Sequence, residues 1–97
     1  MLEKLVALFR GQVEIRSAAM RDAVAKSDTA AARQAAHALK SSAGQVGAVG
    51  LRELCQRIEH AAMDGDASEV AVAVSELDAV VPAVDRWLTD RGFPRQS

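Results

Sequence analysis

Aromatic side chains are scarce in this 97-residue chain, which has two phenylalanines, one tryptophan and no tyrosine. Twenty alanines take up much of the 49% that is hydrophobic, a composition that favours helices packed closely through small side chains. The single cysteine, Cys55, excludes an internal disulfide and fits a reducing compartment. Both prolines fall late, at Pro82 and Pro94, so nothing before Pro82 interrupts a helix. No sign of charge dominates: the net charge is −1 and the basic residues are spread along the chain, a poor footprint for nucleic acid. No apolar run approaches the ~20 residues that span a bilayer. Glu3 and Lys4 interrupt what would have to be the apolar core of a signal peptide, so a cytoplasmic protein is expected. There is no glycine-rich nucleotide loop, and a chain this short has room for one domain and no ATP-binding module. No autokinase activity is expected.

What the chain does have is four amphipathic stretches. Leu2, Val6, Phe9, Val13, Met20 and Val24 form one stripe over the first 26 residues, with Leu5 widening it. Asp28 or Thr29 can cap a second helix that fades near Gly47. The connection Gly47-Ala48-Val49-Gly50 is tight, and a third helix follows with Leu51, Leu54, Cys55, Ile58 and Ala62 inward. Gly65 is a natural stop, and Asp66 or Ser68 a natural cap for the next helix. There Val70, Val74, Leu77, Val81, Val84 and Leu88 repeat at bundle spacing, and Pro82 predicts a kink or break nearby. The reading is all-α: an antiparallel up-down-up-down four-helix bundle over residues 1–92, then a short polar tail at 93–97.

The second stretch holds the chemistry. Ala32, Ala35, Ala36, Leu39, Ala43 and Val46 gather on one side of the helix. Opposite them lie Arg33, His37, Lys40, Ser41, Gly44 and Ala48. A histidine in the middle of a wet face, with cations one turn either side and small residues beyond, is presented to a partner. Imidazole is nucleophilic when neutral, and a rigid helix fixes its direction of attack. Arg33 and Lys40 can neutralise phosphoryl oxygens, and the flat surface at Ser41 and Gly44 lets another protein's backbone come close. The pattern points to phosphoryl acceptance between two proteins. A lone solvent-facing histidine is more often an ordinary surface residue, and periodicity alone does not decide the matter.

The run His37-Ala38-Leu39-Lys40-Ser41-Ser42, followed by Val46-Gly47-Ala48, Leu51, Leu54-Cys55, Ile58-Glu59 and Gly65-Asp66, resembles the histidine-containing phosphotransfer (HPt) family, the four-helix carriers of two-component phosphorelays. The resemblance implies that His37 accepts the phosphoryl group through Nε2 and that Lys40 assists it. It also implies that Ser41, Ser42 and Gly44 shape the docking surface, with Arg33 and Ala48 on the same face. The family usually has glycine where Ser41 stands, and serine is still small. In the family a glutamate or glutamine of the next helix holds the other ring nitrogen, and Glu59 matches that place, with Gln56 at the rim. Partners are then response-regulator receiver domains and a hybrid sensor kinase. Mg²⁺ would come from the receiver's acidic pocket, because no carboxylate cluster here is suited to it.

Other residues read as structure. Cys55 lies in an apolar stripe and reads as an inert thiol. His60 points outward with no motif around it, and with Asp64 it offers only two possible metal ligands. Trp87, Phe9 and Phe93 read as core or end-of-bundle packing. Two rival functions remain open: a non-catalytic module that sequesters receivers, and the phosphoacceptor domain of a chemotaxis-type histidine kinase. A purely structural helical protein is the distant third. A monomer is expected, with no membrane and no nucleic acid as partner.

Overall fold

The computed structural model describes residues 2–94, and every regular element among them is a helix. They are α1 (Leu2–Ala25), α2 (Thr29–Val46), α3 (Val49–Met63), α4 (Ala67–Ser75) and α5 (Leu77–Asp90). Met1 and residues 95–97, most of the expected polar tail, lie outside the described residues. Phe93 is half-buried against the core, closing the bundle end as the sequence suggested.

The helix ends follow from local chemistry. Asp28 caps α2 by accepting a hydrogen bond from the Ala31 amide at 3.0 Å, and Asp66 caps α4 by accepting one from Glu69 at 3.1 Å. At the end of α2, Gly47 adopts φ 80°, and the Ala48 amide reaches back to the Ala43 carbonyl at 2.9 Å. The same closure follows α3, where Gly65 has φ 70° and Asp66 bonds back to Ala61 at 3.0 Å. It also follows α1, where Asp28 bonds back to Ala23 at 2.8 Å, but there the left-handed residue is Ser27, with φ 52°. A side chain in that region costs free energy that a glycine avoids.

The core is built on α2, which packs most extensively against α3 and then α1. Ala32, Ala35, Ala36 and Ala43 are buried along it, and with no side chain beyond Cβ they allow close approach. Met20, Leu39, Leu51, Ile58 and Leu77 supply the bulk, fully enclosed. Val24, Val46, Val81, Val84 and Trp87 are half-buried at the edges. Salt bridges fasten α5 to α1, Arg10 to Asp85 at 3.0 Å and Arg21 to Asp78 at 3.1 Å.

Two expectations need correction. Leu2 and Leu5, read as part of the inward stripe, are 62% and 41% exposed. With 24 residues against 18, α1 outruns α2 by about 9 Å, so its first turn has less to pack on. The interruption of the fourth predicted helix falls at Glu76, between α4 and α5, and not at Pro82, which lies inside α5. A proline disturbs the turn before it, where its ring meets the carbonyl four residues back. The clean break comes two positions before that turn. Arg57 on α3 spans the break, holding Glu69 at 3.0 Å and Glu76 at 2.6 Å.

Two stability predictions follow from local misfits. Ser17 is buried within the α1 stripe, and among the described residues its hydroxyl has no hydrogen-bond partner. Ser17→Ala is expected to stabilise the fold by about 1 kcal/mol, read as a Tm increase of several degrees. An unchanged or lower Tm would mean that the hydroxyl is satisfied. Ser27→Gly should relieve the left-handed strain and raise stability by up to about 1 kcal/mol in urea titration, offset partly by glycine's greater freedom when unfolded.

Candidate functional site

His37 sits at the middle of α2 with its side chain 65% exposed, whereas Glu59, one helix over on α3, has only 10% of its side chain exposed. The two meet at the α2–α3 seam: Nδ1 of His37 lies 2.8 Å from Oε2 of Glu59. The other carboxylate oxygen, Oε1, accepts a hydrogen bond from Nζ of Lys40 at 2.6 Å. One buried carboxylate therefore holds both of these side chains of α2. They reach it together because they lie three residues apart on one helix face.

Charge explains why Glu59 remains an anion there. Its hydrogen bond from Lys40, with a smaller contribution from His37, holds its pKa below the usual carboxylate value, against burial, which pushes the other way. An ionised acceptor at Nδ1 places the imidazole proton on that nitrogen. Nε2 is then left with its lone pair, on the exposed side of the ring. The arrangement is an oriented nucleophile facing solvent, backed by a fixed negative charge, with an ammonium group beside it.

The surrounding residues divide. Arg33, Ser41 and Gly44 are exposed on α2 along with His37, and Gln56 is exposed on α3 one turn before Glu59. Two expected members of the face are elsewhere. Ala48 is buried, at 5% exposure, because α2 has already ended at Val46 and Ala48 is the N-cap residue of α3. The periodicity that projected it outward no longer applies. Ser42 is half-buried, and its hydroxyl donates to the Ala38 carbonyl of its own helix at 3.4 Å. Five residues on from His37, it lies about 140° round the helix.

Sequence reasoning missed two features. The tie between Lys40 and Glu59 was not expected, although a lysine three residues from a histidine that meets a carboxylate had to lie near it. The other is Arg52. A methyl group added at Gly44 would stand 3.6 Å from Cδ of Arg52, so the arginine stem crosses from α3 onto the glycine of α2. The spacing of Arg52, Gln56 and Glu59 would have put all three on one face.

Cys55, one turn before Glu59, is fully buried, and burial pushes its thiol up to about 12, as befits an unreactive core residue. His60 is exposed and lines a groove with Gln56, Arg57 and Glu69. Among the described residues no three His, Cys, Asp or Glu side chains converge as metal ligands.

With this geometry in view, the comparison with known families is decisive. The family model for the Hpt domain matches residues 4–87, which takes in all of α2, α3 and α4. The chain belongs to the Hpt domain family. Hpt domains are phosphotransfer carriers of two-component phosphorelays and not kinases, and they interact with receiver domains and histidine kinases. No match was found among curated proteins or among solved structures. Among the described residues no helix of this Hpt domain is long and apolar enough to cross a membrane.

The depressed pKa of Glu59 gives a pH prediction with a definite sign. A carboxylate whose folded pKa lies below its unfolded value contributes stability above the unfolded value, 4.5 here, and loses it as pH falls through the folded value. Urea titrations from neutral pH downward should show the largest gap between wild type and Glu59→Gln above pH 4.5. The gap should close as the medium becomes more acid. A gap that widened on acidification would contradict the Lys40–Glu59–His37 arrangement.

Proposed function

We propose that His37 is the phosphoacceptor of a phosphorelay intermediate, taking a phosphoryl group from a phospho-aspartate of one receiver domain and passing it to another. The observation that carries this reading is the 2.8 Å contact between His37 Nδ1 and buried Glu59, which leaves Nε2 directed outward. In the forward step the Nε2 lone pair forms the N–P bond while the P–O bond to the receiver aspartate breaks. The aspartate leaves as a carboxylate with the bonding pair. The ring acquires positive charge, which Glu59 offsets through the Nδ1 proton, so no outside base is needed. Such transfers depend mainly on alignment and charge stabilisation, and a rigid two-helix seam supplies both.

Lys40 is the stabiliser of phosphoryl oxygens and Glu59 the positioning residue. Arg33, Ser41, Gly44 and Gln56 form the docking surface. Ser42 and Ala48 are left out of it by their placement. Ser41 replaces the glycine usual at that position, and its small exposed side chain keeps the approach to the ring open. Mg²⁺ belongs to the partner receiver's acidic pocket. The reading includes an up-down-up-down helix order within one domain over residues 1–92, a monomer, a cytoplasmic setting for the reduced Cys55, and no ATP binding.

A second reading has one observation in its favour: the residue holding Nδ1 is a glutamate, which suits the phosphoacceptor domain of a chemotaxis-type kinase. The donor separates the two readings, since a kinase domain with ATP would then label His37 where a phospho-receiver would not.

Incubation with a labelled phospho-receiver and Mg²⁺ tests the proposal. Wild type is expected to take up label that is acid-labile and base-stable, and His37→Gln none. Glu59→Ala and Lys40→Ala should slow uptake, by up to about a hundredfold for lost alignment, without abolishing it. Uptake unaffected by His37→Gln would end the assignment. Binding of the receiver with no transfer would favour a sequestering module instead.

A further inference from the structure

Several cations of this protein are committed within the fold. Arg10 and Arg21 hold α5, Lys26 pairs with Asp22, Lys40 with Glu59, and Arg57 with Glu69 and Glu76. Arg52 is different. It lies on the same helix as Arg57, and among the described residues no hydrogen bond or ion pair engages it. Its stem is nevertheless placed, because Cδ packs over Gly44, in ordinary contact range of where a Cβ would be. Gly44 is seven residues from His37, two turns along the same face, or about 10 Å. Beyond His37 and its two partners, the docking face therefore has a second exposed arginine beside Arg33, with its stem placed over Gly44 two turns along α2 from His37.

An exposed arginine packed along its stem has less rotamer freedom to lose on binding than a free one. A guanidinium also suits a carboxylate with two parallel hydrogen bonds. Its partner is thus an acidic side chain rather than an apolar patch. We propose that Arg52, laid across Gly44, is a positioning residue for docking: it receives a carboxylate of the receiver at the Gly44 end of the face, two turns along α2 from His37, and so selects among receivers by charge. The inference rests on the phosphorelay reading, and it concerns how a receiver is held rather than how the phosphoryl group moves. Such a contact acts on encounter and on salt dependence, and leaves the chemical step alone.

Rapid-quench transfer from a labelled phospho-receiver, run against receiver concentration at low and physiological ionic strength, separates the two effects. Arg52→Ala is expected to raise the half-saturating receiver concentration about two- to fivefold, the worth of an exposed ion pair. The limiting rate should stay unchanged and the salt dependence become shallower. Arg52→Glu should weaken half-saturation further, and Arg52→Lys should restore the salt dependence. Arg86→Ala, which removes an exposed charge on α5, should match wild type. Half-saturation and salt dependence unchanged in both Arg52→Ala and Arg52→Glu would overturn the inference while leaving the phosphorelay reading standing. A limiting rate lowered as in Lys40→Ala would overturn it too, by placing Arg52 in the chemistry. Wild type that takes no label from any receiver would instead remove the phosphorelay reading itself.

Discussion

The site depends on a carboxylate that the fold has placed where carboxylates are expensive. Glu59 is almost fully enclosed at the α2–α3 seam, and an unpaired anion there would cost several kcal/mol. Lys40 and His37 each take one of its oxygens, at 2.6 and 2.8 Å, and the cost is offset by two charge-assisted contacts. The same contacts do the positioning. His37 cannot rotate freely without releasing Glu59, so one interaction both satisfies a buried charge and fixes the orientation of the imidazole.

That interaction requires the two helices to lie close, which is where the alanines matter. Ala32, Ala36 and Ala43 line the buried side of α2, with Leu51, Cys55 and Ile58 inward on α3. Larger side chains on α2 would separate the axes and pull Glu59 out of reach of His37. The scarcity of aromatic residues and the abundance of alanine thus bear on the chemistry, through the width of one seam.

Much of this was legible in the chain because it is periodic. The inward stripes of α2 and α3 are buried nearly as the 3.6-residue repeat predicts, and Val46, half-buried at the end of α2, is the one weak member. Glu59 could be placed beside the apolar stripe of α3, and it faces the seam from there. What periodicity cannot carry is where a helix stops and what lies beside it. Ala48 was projected outward by continuing α2 through Gly47, and the left-handed turn at that glycine sends it inward. Ser42 was counted on the docking surface through the family resemblance, although the helix turns it toward its own backbone. Ser27 performs a glycine's task at the end of α1 with no glycine to mark it. Arg52 was overlooked because its contact is with a residue that has no side chain, and Gly44 leaves no pattern of complementary residues to read.

The commitment of Lys40 has a consequence for the order of events in the proposed transfer. While its ammonium is on Glu59 it is not on a phosphoryl group, and releasing it would leave a buried anion with a single partner. That release becomes favourable only when something replaces the lost positive charge. Formation of the N–P bond does so, because the imidazole then carries positive charge and Nδ1–H remains against Glu59. Lys40 is freed at the moment the phosphoryl oxygens need it. Reversal of the transfer restores the neutral ring, and the carboxylate draws Lys40 back. A shared anion between nucleophile and ammonium thus couples the two, each taking up the charge that the other gives up, with no movement of the helices that hold them.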